Sequence, residues 1–164
     1  MAAAPPDANR ARVRHGGPDR RASGAVTEPA LTPDLVNATI AELWGATRHR
    51  CVEVSPTHAV ASVEIDQTNL RPGGYVSGPT QFGLVDAALW YLTFGALDRV
   101  EPMALTSELS IRFLRPAVGR VLWARAELDR AGRTAVVGTV RCWMDDAHDR
   151  PVSTAQGTYT LPRP

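Results

Sequence analysis

Between Arg71 and Asp98 the only formally charged side chain is Asp86. The stretch Ser77–Leu97 reads SGPTQFGLVDAALWYLTFGAL. Ser77 or Gly78 can cap a helix, Pro79 suits its first turn, and Gly95 is expected to mark its end. Phe82, Leu84, Val85, Leu89, Trp90, Leu92 and Phe94 form no single stripe but go round the helix. A helix apolar on all sides is buried in a membrane or in a protein core. A membrane span wants about 20 apolar residues, and an acid in its middle is costly. A core helix wrapped by a sheet is therefore the expectation.

Asp86 becomes the most informative residue on that reading. An ionised carboxylate without partners is expensive to bury, so it marks either a structural pair with an arginine or hydroxyl or a base or nucleophile in a sheltered cleft. Upstream, Gly73-Gly74-Tyr75-Val76-Ser77-Gly78 feeds the chain into the helix N-terminus, where free N–H groups and the positive end of the dipole can bind an oxyanion. Gly78 has no side chain to block a carbonyl, and Pro79 after it has no N–H. Asp86 lies about 12 Å further along the axis at 1.5 Å per residue, so a second copy could bring Asp86 of one chain beside Gly78 of the other.

The chain has 164 residues, which suits one domain with a real core. Its 18 basic residues are all arginine and face 17 acids, leaving a net charge of +1. That balance argues against a dedicated nucleic-acid binder, and the lack of lysine excludes lysine Schiff bases, a phosphate-loop lysine and a Ser-Lys dyad. Cys51 and Cys142 are far apart, which argues against a disulfide scaffold, a zinc site or a redox motif. Residues 1–30 are rich in Arg, Pro and Ala, with no apolar run of signal-peptide length. They are expected to be a disordered leader before a domain over 31–164, in a cytoplasmic protein without a membrane segment.

Thr32-Pro33-Asp34 opens a first helix that runs to about Gly45. His49–Ser55 and His58–Asp66 read as strands about a Ser-Pro-Thr turn, followed by a polar loop from Gln67 to Val76. Leu109, Ile111 and Phe113 alternate with Glu108, Ser110 and Arg112, which predicts one buried and one wet face. Val118–Asp129, Thr134–Met144 and Val152–Leu161 complete four late strands. Helix, two strands, helix, four strands predicts an α+β fold with an antiparallel sheet.

This order and two motifs carry a family resemblance. Gly74-Tyr75-Val76-Ser77-Gly78-Pro79, followed by Leu84 and Asp86, resembles the G-x-x-H-G-G-x-x-x-x-L-x-D signature of acyl-CoA thioesterases of the phenylacetate-degradation type. Thr106 through Phe113-Leu114-Arg115-Pro116-Ala117 is similar to a later strand of that family. The resemblance implies a hotdog fold, an antiparallel sheet of five to six strands around one long buried helix. It implies that Asp86 activates water or attacks the thioester, that Gly78 N–H polarises the carbonyl, and that Thr106 helps hold the water. Asn69 and Ser77 fall at further site positions. The implied partners are an acyl-CoA substrate and a second copy, as a homodimer or dimer of dimers; neither a cofactor nor a metal is expected. Ser77 replaces the signature histidine and Pro79 its second glycine, which keeps open a non-catalytic acyl-CoA-binding protein.

Arg71, Tyr75, Gln81 and Arg115 are candidate substrate-binding residues. Arg71, Arg112 and Arg115 could meet the phosphates of coenzyme A. Tyr75, Trp90 and Phe94 could line an acyl or aryl pocket, though core packing alone explains Trp90 and Phe94. His15, His49, His58 and His148 make no serine-hydrolase set, since no Gly-x-Ser-x-Gly elbow occurs, and His49 and His58 read as surface residues. A hydratase is disfavoured because the central loop and helix lack histidine. Asp145, Asp146 and Asp149 read as a solvated turn rather than a cation site.

Overall fold

The computed structural model describes residues 30–163; the expected leader therefore lies outside the described residues, apart from residue 30. Helix α1 spans Pro33–Trp44, with Thr32 as N-cap and Gly45 beyond its end at φ 81°. Its Val36 and Ile40 are buried. Asn37 fixes it to the first strand: its Nδ2 donates to the Cys51 carbonyl at 2.8 Å and its Oδ1 accepts from Cys51 N at 2.9 Å.

Strands β1 (Arg50–Val54) and β2 (His58–Glu64) form a hairpin. The segment read as a loop is more ordered than its polarity suggests. It holds a 3-10 turn, Gln67–Asn69, and a small hairpin of β3 (Leu70–Arg71) and β4 (Tyr75–Val76). Helix α2 follows, Gly78–Leu97. Then come β5 (Leu105–Phe113), β6 (Val121–Ala131), β7 (Ala135–Met144) and β8 (Ser153–Thr160). Six strands form one antiparallel sheet in the order β1-β2-β6-β7-β8-β5.

The sheet curls around α2. Small residues on its inner face, among them Ala59, Ala61, Ala124 and Ala126, are fully buried and let the helix settle close. Gly138 and Gly157 face each other on β7 and β8. A Cβ on Gly138 would come within 2.6 Å of Leu92 Cδ2, and one on Gly157 within 2.7 Å of Leu89 Cδ1. Leu84, Leu92 and Phe94 fill the space, each contributing roughly 1.5–3 kcal/mol by burial. Cys51 and Cys142 are free thiols buried in this core.

Three expectations need correction. Gly95 does not end α2, which continues to Leu97 and closes on Asp98 in the left-handed region at φ 52°. Gly95 is glycine because the Ser55 carbonyl packs directly on it, where any Cβ would collide. Nor is α2 buried on every side: Pro79, Phe82, Gly83, Asp86 and Trp90, at helical spacing, form a strip that is open or half-open. Finally, β5 lacks a buried face. It is an edge strand, its Leu109 and Ile111 are only half-buried, and Phe113 is 51% exposed.

Candidate active site

The α2 N-terminus is built by its own loop. Asn69 O accepts from Ser77 N at 2.8 Å, and Val76 N donates to Ala117 O at 2.9 Å, which pins the β3–β4 hairpin against the segment after β5. Ser77 is the N-cap: its Oγ accepts from Thr80 N at 3.2 Å and shares a 2.8 Å bond with Thr80 Oγ1. Gln81 N takes the Ser77 carbonyl at 3.2 Å. With Pro79 lacking an N–H, Gly78 N–H is the first-turn donor that the cap leaves unused. Asn69 has a structural role: its buried Oδ1 accepts from Asp66 N at 2.9 Å and closes a capping box on the 3-10 turn.

Gly78 opens into a cleft of about 420 Å³ lined by Arg71, Tyr75, Gln81, Phe113 and Arg115 among others. The four candidate substrate-binding residues thus meet around Gly78. Among the described residues no carboxylate lines the cleft, so two guanidinium groups and a helix N-terminus give it a positive field. Gln81 Nε2 donates to Val76 O at 3.3 Å, while its Oε1 is buried without a partner.

Asp86 stands in a second cleft of about 380 Å³, with Ile40, Trp44, Trp90, Leu105, Thr106 and Tyr159 on its walls. Among the described residues Asp86 is the only acid there, and the rest of the lining is largely apolar. Its Oδ1 accepts from Thr106 Oγ1 at 2.7 Å and from Tyr159 OH at 2.8 Å. Burial, reinforced by the Asp86 charge, pushes the Tyr159 phenol far above its ordinary range, so it remains a donor at any working pH. Oδ2 has no hydrogen-bond partner among the described residues and can take a proton. Trp44, on the wall of the cleft, meets Trp90 edge-on at 5.2 Å.

One residue packed against α2 escaped the sequence reading. His49 is half-buried, not a surface residue, and its ring lies over Gly83: Cε1 and Nε2 are 3.4 and 3.8 Å from where a Gly83 Cβ would be. Gly83 was the available signal, since glycine within a helix costs about 1 kcal/mol against alanine and marks a close approach. Burial lowers the His49 pKa, partly opposed by the Asp86 charge.

Other candidates go elsewhere. Arg112 does not join Arg71 and Arg115, because alternation along β5 turns it to the sheet's other face, beside Arg141 and Thr154. Phe94 is core and lines neither cleft. Asp145 Oδ1 accepts from Arg120 N and Val121 N, both at 3.0 Å, so that acidic turn is a structural brace. Among the described residues, no three His, Cys, Asp or Glu side chains cluster as metal ligands do, and no helix is long and apolar enough to cross a membrane.

Residues 73–149 match the thioesterase superfamily. The chain is similar to a candidate thioesterase from Silicibacter sp. TM1040, with 29% identity, a TM-score of 0.71, and 80% of this chain covering 92% of that one. The fold is the hotdog thioesterase fold. A thioesterase family protein from Silicibacter pomeroyi shares this hotdog fold at 25% identity, with a TM-score of 0.67 and coverage of 78% and 96%. So does the phenylacetic acid degradation protein PaaI of Thermus thermophilus, at 18% identity, a TM-score of 0.60 and coverage of 76% and 99%. Comparison with curated proteins finds no match. These likenesses support thioester hydrolysis in general.

Proposed function

We propose that this protein is an acyl-CoA thioesterase of the phenylacetate-degradation type, active as a dimer or dimer of dimers whose sites are shared between copies. The carrying observation is the split of its chemistry: the unused donor at Gly78 and the free carboxylate oxygen at Asp86 face two separate clefts of one chain. Two copies related by a twofold axis would each complete the other. Among the described residues the outer edge of β5 is unpaired, which favours such pairing, since its backbone groups stand beside exposed Leu105 (66%), Phe113 (51%) and Phe82 (41%).

In this reading Asp86 Oδ2 takes a proton from water as its oxygen adds to the thioester carbonyl carbon. The resulting oxyanion is held by Gly78 N–H of the other copy, at the positive end of α2. When the C–S bond breaks, the departing thiolate takes the proton from the Asp86 carboxyl, leaving a free acid and a thiol. Thr106 and Tyr159 hold the carboxylate so that Oδ2 faces the water. The acyl group would lie against Trp44, Trp90 and Ile40, and the phosphates of coenzyme A near Arg71 and Arg115. A cytoplasmic setting suits the two free cysteines.

The test is complementation. Asp86→Asn and Gly78→Val should each be inactive in a thiol-release assay over aryl, short-chain and long-chain acyl-CoAs. Unfolded together and refolded as a mixture, they should recover about a quarter of wild-type sites, because half the dimers would be hybrids with one intact site each. Full activity of Asp86→Asn, or no recovery on mixing, would sink the shared-site mechanism. A second reading, a non-catalytic acyl-CoA-binding protein, draws on Ser77: its hydroxyl serves the cap and supplies no cationic group to the carbonyl. Tight binding without turnover across the series would favour it.

A further inference from the structure

We propose that His49 is a positioning residue of the Asp86 site: its imidazole, seated on Gly83 one turn before Asp86, sets the charge that the carboxylate feels. The inference rests on the reading of Asp86 as base. Gly83 and Asp86 are three residues apart on α2, hence on one face and about 4.5 Å apart along the axis. The absent side chain at Gly83 leaves room for the ring, whose Cε1–Nε2 edge faces the helix. No hydrogen bond to another side chain holds the imidazole among the described residues, unlike His58, which is tied to Ser55 and Glu53.

Among the described residues, the charged groups that act on the ring are Asp86 from α2 and Arg48 beside it in the chain. Asp86 favours the imidazolium; burial and Arg48 oppose it, and burial dominates. Arg48 is itself engaged by Asp66 and by Thr68 Oγ1 at 2.6 Å. Tyr159, next to Asp86 from β8, stays protonated and adds no charge. Near neutrality the ring adds no charge beside Asp86. On acidification the imidazolium forms opposite Asp86, and its positive charge opposes transfer of a proton from water to Oδ2.

Two measurements on the full chain test this. In protein labelled at histidine, the ring signals are titrated by NMR for wild type and Asp86→Asn, with His49→Gln identifying the His49 signals. The His49 midpoint should fall by roughly half a pH unit or more in Asp86→Asn, while those of His58 and His148 stay in place. An unmoved His49 midpoint overturns the proposal. In the pH profile of kcat/KM with phenylacetyl-CoA and hexanoyl-CoA, the wild-type acid limb should share that midpoint. His49→Gln should lose the inflection, so its rate relative to wild type climbs several-fold from about pH 8 to about pH 5.5. A constant ratio overturns the proposal as well. Failure of the base assignment is distinguishable: Asp86→Asn would retain turnover while the NMR coupling persisted.

Discussion

Thr106 Oγ1 donates to Asp86 Oδ1 at 2.7 Å, linking the edge strand β5 to the middle of α2. Tyr159 OH reaches the same oxygen at 2.8 Å, so both donors crowd one side of the carboxylate. A hydrogen bond to a charged group is worth about 1.5–3 kcal/mol. Thr106→Val should therefore lower kcat about 10- to 100-fold in steady-state kinetics, with little change in melting temperature because Thr106 is exposed. An unchanged kcat would separate Thr106 from the chemistry.

Gly78→Ala separates stability from activity. Alanine is the better helix former, and its Cβ would meet only the Phe113 ring, 3.3 Å away at Cζ, which is exposed enough to yield. Thermal unfolding should show equal or higher stability. Thiol release should fall at least about tenfold, because the methyl group stands between the Gly78 N–H and an approaching carbonyl.

Trp44 forms part of the wall of the Asp86 cleft. Trp44→Ala removes an edge-on partner of Trp90, at a cost of about 1 kcal/mol, read by denaturant unfolding. The cleft gains room, so kcat/KM across an acyl-CoA series should shift toward longer chains. A uniform loss at every length would place the acyl group elsewhere.

Gly95→Ala should be the most damaging small substitution. Its Cβ collides with the backbone carbonyl of Ser55, so either α2 or the β1–β2 turn must move. A loss of about 3 kcal/mol is expected, visible as a fall in melting temperature. The neighbouring helical position Ala96 should tolerate serine far better.

Folded-state pH dependence follows from His49. Its pKa is lowered below the ordinary 6.5, so the unfolded chain binds a proton that the folded chain resists. That contribution is present above pH 6.5 and is lost as pH falls through the folded-state value. Melting temperature against pH should decline on this acid side in wild type and decline less in His49→Gln.

Most of the architecture was legible because it depends on local signals. Thr32 and Ser77 announce the two helices as caps, and the stretches Val118–Asp129 and Thr134–Met144 read as strands close to where β6 and β7 lie. Asp86 stood out by its isolation among apolar neighbours, and Thr106 entered through the family motif. What failed depends on long-range contacts. Gly95 answers to Ser55, forty residues earlier, and Gly83 to His49, so a helical glycine signals a close approach without naming what approaches. The exposure of β5 was likewise hidden, since alternation records which side a residue faces but not whether another layer covers it.

The two cysteines have a practical consequence. Burial pushes both the Cys51 and Cys142 thiols up to about 12, leaving almost no thiolate at assay pH and no access for a reagent. The folded protein is therefore its own clean blank in a colorimetric thiol titration. Each equivalent of sulfur counted during turnover reports a bond broken in substrate, and the same reagent, once it begins to label the chain, reports unfolding.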